Sequence, residues 1–183
     1  MTILREGILL VGAAVLVLYA IVMIFKKVKP AKFFMNLSFG LYITLVIAVC
    51  FFPIRFGMEI PDSLNNFIPF KSIADSIKDT FSGGGIYGLR SVVGNFIMLM
   101  PLGLFFHFYI NEPKRRLLGV FLISVGIETV QFIIGMLIGY NYRSIDIDDV
   151  ILNTVGGVLA VLIFDLIMKK WKSKSKSDSA THN

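Results

Sequence analysis

Five long apolar runs, at residues 7–25, 33–52, 92–110, 117–140 and 150–168, constrain this chain more than any other feature it has. At about 1.5 Å per helical residue, each run is close to the ~30 Å thickness of a bilayer's hydrocarbon core, or longer. Within lipid every backbone polar group must find a partner, and a single apolar segment does this only as a helix. The expected architecture is therefore an all-α polytopic membrane protein, a bundle of five transmembrane helices forming one domain over residues 1–171. Composition agrees: 56% of residues are apolar or aromatic and 16% are charged, against roughly 25% charged in soluble domains.

The run at 7–25 could be a signal peptide, but only Arg5 and Glu6 stand before it, no small-x-small cleavage site follows, and KKVKPAK behind it resembles a stop-transfer flank. It is expected to be a retained span. The third run contains Pro101, which frees a carbonyl and should kink the helix.

The formal charge of +6 suits a membrane surface better than nucleic acid, because the cations sit at the ends of the apolar runs. Lys26, Lys27, Lys29 and Lys32 follow the first run; Lys114, Arg115 and Arg116 follow the third; Lys169, Lys170, Lys172, Lys174 and Lys176 follow the fifth. All fall on one side, which the positive-inside rule makes cytoplasmic. On the other side Arg55, Lys71, Lys78 and Arg90 are balanced by Glu59, Asp62, Asp75 and Asp79. The expected topology has the N-terminus outside and the C-terminus in the cytoplasm, with residues 172–183 a disordered basic tail that has no apolar periodicity.

One connection is long, at residues 53–91. Within it Ser72 and Asp75 resemble a capping box, Ile73, Ile77 and Phe81 recur at helical spacing, and Gly83, Gly84 and Gly85 end the pattern. A short amphipathic helix on the outer membrane surface is expected there. Cys50 is the single cysteine, so a disulfide framework or a cysteine-based metal site is excluded.

Polar residues at membrane depth are costly and call for a reason. Glu128 lies near the middle of the fourth run, and Gln131 stands three residues on, near the same face. On the fifth run Asp149, Asn153 and Gly156 recur at i, i+4 and i+7, and Asn95 lies a few residues into the third run from the same side. Gly156 and Gly157 would let another helix approach, with Gly135 and Gly139 of the fourth run at matching small-xxx-small spacing. Arg143, in the short loop before Asp146, Asp148 and Asp149, cannot be far from these carboxylates. Together they describe a polar pocket opening outward and narrowing toward Glu128. On the bland alternative, Arg143 pairs with the loop acids and Glu128, Gln131 and Asn153 are interhelical hydrogen-bond glue. The acids of DIDD could gather hard oxygens around a cation, but three acids in one short loop are weak grounds and no metal is assigned. Asp165, four residues before Lys169, reads as one half of a helix ion pair. His107 reads as standing alone, with no His-based metal site.

The combination FIPFKSI, NFIMLMPLG, IETVQ and RSIDIDDVILNTVGG resembles the VanZ-like family, named for a teicoplanin-resistance protein. The resemblance runs from about residue 66 to 157 and falls on Pro69, Phe70, Asn95, Pro101, Gly103, Glu128, Gln131, Arg143, Asp146, Asp149, Asn153 and Gly156. The first two runs and the tail carry no family signature. It implies a multi-pass protein of the bacterial cytoplasmic membrane acting in the cell envelope, in some members lowering susceptibility to teicoplanin and related lipid-tailed glycopeptides.

Three function classes follow. In the first, Asn95, Glu128, Gln131, Arg143, Asp146, Asp149 and Asn153 bind an amphipathic envelope ligand, either a lipid-linked cell-wall precursor or the lipid-bearing part of the antibiotic. In the second, a membrane enzyme acts on an envelope lipid, with Glu128 as acid or base, Arg143 steadying an anion, and Asp146 with Asp149 orienting the substrate or holding a metal. In the third, several copies assemble a channel or transporter. Membrane lipids are the expected partners in all three, and no cofactor is implied.

Overall fold

The computed structural model describes residues 2–56, 65–87 and 89–181; Glu59 and Asp62, counted in the loop's charge balance, lie outside them. Five helical segments are long and apolar enough to cross a membrane: Arg5–Phe25, Pro30–Phe51, Arg90–Tyr109, Pro113–Ile138 and Ile147–Trp171. The protein is an all-α, multi-pass membrane protein. Each segment begins two to four residues before its apolar run, because polar residues there extend the helix toward the lipid headgroups.

The chain divides into two compact units. The first comprises Met1–Leu64 and Thr129–Ser144. In it a short strand, β1 (Thr2–Ile3), leads into helix α1 (Arg5–Phe25), and α2 (Pro30–Phe51) returns to β2 (Ile54–Arg55), which pairs antiparallel with β1. The turn between α1 and α2 closes with Lys27 at φ 49, its N–H and that of Val28 capping α1 carbonyls. Pro30 then opens α2 at a position where a missing N–H costs nothing. The two helices approach through glycines: a methyl at Gly40 would lie 2.6 Å from Leu16 Cδ2, and one at Gly12 would overlap Thr44. Leu10, Val11, Leu18 and Phe25 of α1 remain exposed, as lipid-facing residues should.

The second unit comprises Asn65–Glu128 and Ile145–Asn183. It holds α3 (Lys71–Asp79), α4 (Arg90–Met98), α5 (Met100–Tyr109), α7 (Ile147–Thr181) and residues 113–128 of α6, whose full span is Pro113–Ile138. The expected kink is present: α4 and α5 meet at Leu99, two residues before Pro101. Leu99, Leu102, Val120 and Val161 are fully buried. Close approach of α7 to α4 and α5 is set by glycine on both sides. A methyl at Gly103 would lie 2.5 Å from the Gly157 carbonyl oxygen, and one at Gly156 would overlap the Phe96 carbonyl.

That packing corrects one expectation. Gly156 faces Phe96 of α4, and Gly157 lies between Leu99 and Val120 of α6, so α6 does approach there; it does so without Gly135 and Gly139, which end α6. Gly139 takes φ 81, and the N–H groups of Gly139 and Tyr140 both reach the Gly135 carbonyl, a left-handed helix stop that glycine adopts without steric penalty. The tail also differs, since α7 continues through it to Thr181. Extending an existing helix avoids the nucleation cost that an isolated segment would bear.

Helix α3 occupies the place expected for the amphipathic helix, but its start is different. Phe70 precedes it with φ 66 and no side chain of its own caps it, so Ser72 lies inside the first turn and forms no capping box. Ile77 and Phe81 remain exposed.

Candidate functional site

The acids that open α7 have distinct tasks. Asp146 is the residue before the helix, and its Oδ1 accepts the Asp148 N–H at 2.9 Å, which is N-capping by a short acid. The same oxygen accepts Asn66 Nδ2 at 2.8 Å. Asn66 is 5% exposed and is tied by its backbone as well, its N–H to Ile145 O at 2.8 Å and its carbonyl to Ile147 N at 2.9 Å. Asn65 Oδ1 accepts Ile145 N–H at 3.0 Å, and Asn66 Oδ1 turns back to Ile68 N–H at 3.0 Å. Asp148 is 1% exposed. Its carboxylate takes the N–H groups of Phe70 at 2.5 Å and Ile73 at 3.2 Å, with Asn66 Nδ2 at 3.5 Å. A buried carboxylate on α7 thus caps α3, where N-terminal N–H groups and the helix dipole both favour an anion.

Below this knot lies the seam between α4 and α7. Asn95 Nδ2 donates to Asp149 Oδ1 across it. One turn deeper on the same face of α7 stands Asn153, 1% exposed, and one turn deeper again Gly156 meets the Phe96 backbone. Asn153 is therefore directed into the seam. Among the described residues its Oδ1 has no hydrogen-bond partner, and neither does the nearby Thr154 Oγ1. On α6, Ser124 Oγ donates to Val150 O at 2.9 Å, which places Glu128, one turn on and 8% exposed, toward the same end of α7.

Gln131 and Arg143 belong to the first unit. Gln131 Nε2 donates to the Cys50 carbonyl at 2.7 Å. Arg143 Nη2 donates to the carbonyls of Val49 at 2.8 Å and Phe52 at 3.1 Å. The alternative in which Arg143 pairs with the loop acids gives way to helix C-capping: the last carbonyls of α2 have no intrahelical donors, and a guanidinium there also suits the dipole.

At the other end of α7 a second polar cluster forms. Arg116, 6% exposed, pairs with Asp165, and its Nη1 lies 2.9 Å from His107 Nδ1, itself 2.7 Å from Asp165 Oδ1. Arg116 also donates from Nε to Ile110 O at 2.6 Å and from Nη2 to Asn111 O at 2.9 Å, closing the C-terminal end of α5. Asp165 is thus no i,i+4 partner of Lys169, and His107 does not stand alone. Contacts between distant segments outcompete a local pair that water would screen.

The family model for VanZ/LLP1 matches residues 39–168. The chain belongs to the VanZ/LLP1 family. It is a membrane protein of the VanZ kind, a family linked to teicoplanin resistance. The match enters within α2, so the second apolar run carries family signal after all, and it takes in the α7 knot, the α4–α7 seam and the Arg116–Asp165 cluster. No curated protein and no solved structure matches the chain.

Sequence reasoning overlooked Asn65, Asn66 and Asp148 as structural keystones. The available signal was the Asn-Asn pair ahead of the short helix together with the third acid of DIDD. It was masked because acids in a first helical turn ordinarily only complement the dipole.

Proposed function

We propose that the α4–α7 seam of the second unit is a binding site for the polar head of an amphipathic envelope ligand, a lipid-linked cell-wall precursor or the lipid-bearing part of a teicoplanin-type antibiotic. By holding that ligand the protein lowers susceptibility to the antibiotic. The observation that carries this reading is Asn153, whose buried Oδ1 has no donor among the described residues: such an amide oxygen costs about 1–3 kcal/mol, which a ligand hydroxyl or amide N–H would recover. The Asn95–Asp149 pair stands at the mouth of the seam and Glu128 lies toward the same end. The basic residues beside α1, α6 and the far end of α7 support turning this mouth outward, by the positive-inside rule. Exposed apolar helix faces suit an acyl chain beside it.

Wild-type protein expressed in a susceptible Gram-positive host should raise the teicoplanin concentration needed to stop growth. Asn153→Leu should abolish this while leaving membrane abundance unchanged and the melting temperature of the purified protein equal or higher, because the substitution removes an unpaired buried acceptor. Protection that survives in Asn153→Leu, Asn95→Ala and Glu128→Ala at wild-type abundance would overturn the reading.

A further inference from the structure

A different grouping stands in the first unit, where two arginines converge on the end of α2. Arg5, at the start of α1, donates from Nε to Ala48 O and from Nη2 to Phe52 O, each at 3.1 Å. Arg143 donates from Nη2 to Val49 O at 2.8 Å and to the same Phe52 oxygen at 3.1 Å. One carbonyl oxygen therefore receives two guanidinium groups, and the two positive charges lie within about twice a hydrogen-bond length of each other. The β1–β2 pairing holds this arrangement, because it brings the start of α1 beside the chain that leaves α2.

The charge is not balanced within the group. The end of a helix carries only about half a negative elementary charge, set here against two full positive ones. No carboxylate among the described residues lies within ion-pair distance of either arginine. Hydrogen-bonding capacity is also left over. Arg143 uses only Nη2, so its Nε and Nη1 hydrogens have no partner among the described residues, and neither does Arg5 Nη1. Arg5 is exposed and Arg143 partly so, which leaves these donors reachable. Two guanidinium forks side by side fit a tetrahedral oxyanion, whose several oxygens take parallel N–H bonds. The position adds a source, since the end of a membrane-length helix lies at the depth of lipid phosphates.

We infer that Arg5 and Arg143 form a phosphate site at the end of α2, fitted to the phosphodiester of an anionic membrane lipid. The inference does not rest on the α4–α7 seam and adds Arg5, whose role nothing in the apolar pattern marks. Fastening α2 and holding a phosphate are compatible tasks, because the carbonyls orient the two groups and leave their outer edges for the ligand.

The test uses the full-length protein in an uncharged detergent, with native mass spectrometry of added phosphatidylglycerol, diacylglycerol as the phosphate-free control, and inorganic phosphate as competitor. Wild type should retain phosphatidylglycerol about 10- to 100-fold more tightly than Arg5→Gln/Arg143→Gln, the range expected on losing charge-assisted hydrogen bonds. Diacylglycerol should not separate the two proteins. Should inorganic phosphate bind wild type in preference to the variant while phosphatidylglycerol does not, the site takes free phosphate and the lipid source is wrong. Equal binding of both phosphate probes by wild type and variant overturns the site. Should the double variant not fold, phenylglyoxal labelling of the wild type decides: phosphatidylglycerol should protect Arg5 and Arg143 but not the exposed Arg115, and unchanged labelling of both overturns the proposal.

Discussion

The two ends of α7 use polar residues in opposite ways. At the far end, Arg116, Asp165 and His107 form a closed set, with the guanidinium divided among a carboxylate, an imidazole and two carbonyls. At the near end, Asp146 and Asp148 are equally well satisfied, yet one and two turns below them Asn153 retains an acceptor without a partner among the described residues. The far end reads as a fastening. The near end combines a fastening with an exception, and in a buried seam the exception is what asks for a ligand.

The comparison can be broken first at the far end, where the largest effect is expected. Arg116→Met leaves Asp165 without its guanidinium and strips the Ile110 and Asn111 carbonyls, just past α5, of their donor, so removing one partner of this largely buried pair should cost about 3–5 kcal/mol. The melting temperature of the detergent-solubilised protein and its membrane abundance should both fall. A variant as stable as wild type would show that the cluster is no fastening. At the near end, Asp148→Ala should cost less, about 1–3 kcal/mol for the unsatisfied N–H groups of Phe70 and Ile73. Its mark is local: hydrogen exchange should accelerate over α3 while α5 stays protected, and uniform acceleration would mean that Asp148 holds more than α3. The smallest effect sharpens the same point. Ser72→Ala should change stability by no more than about 0.5 kcal/mol, because α3 takes its cap from Asp148; a loss of the size seen for true N-caps would place the start of α3 elsewhere.

The helices and the membrane class were readable because hydrophobic length is a property of consecutive residues. The break near Pro101 was readable for the same reason, since a missing N–H acts within one turn. Partners were not. Arg143 reads as an ion-pair donor to nearby acids, yet it caps α2 some ninety residues away; Asp165 reads as a partner of Lys169, yet it pairs with Arg116. In both cases a local rule about charge lost to a long-range contact that only the fold brings together. Gly135 and Gly139 show the reverse: they match a packing motif by spacing, and their use is the local one of ending a helix.

What the amino-acid order determines alone is the number, length and apolar character of the spans, and that their few interior polar groups must have a reason, since lipid offers the backbone no partners and penalises every exposed polar group. Only the tertiary structure decides which reason applies to each residue. A carboxylate or amide is satisfied by whatever chain segment is brought within about 3 Å of it, and so Asp148 becomes the cap of α3, Arg116 the clasp of α5 and α7, and Asn153 the acceptor left without a donor among the described residues.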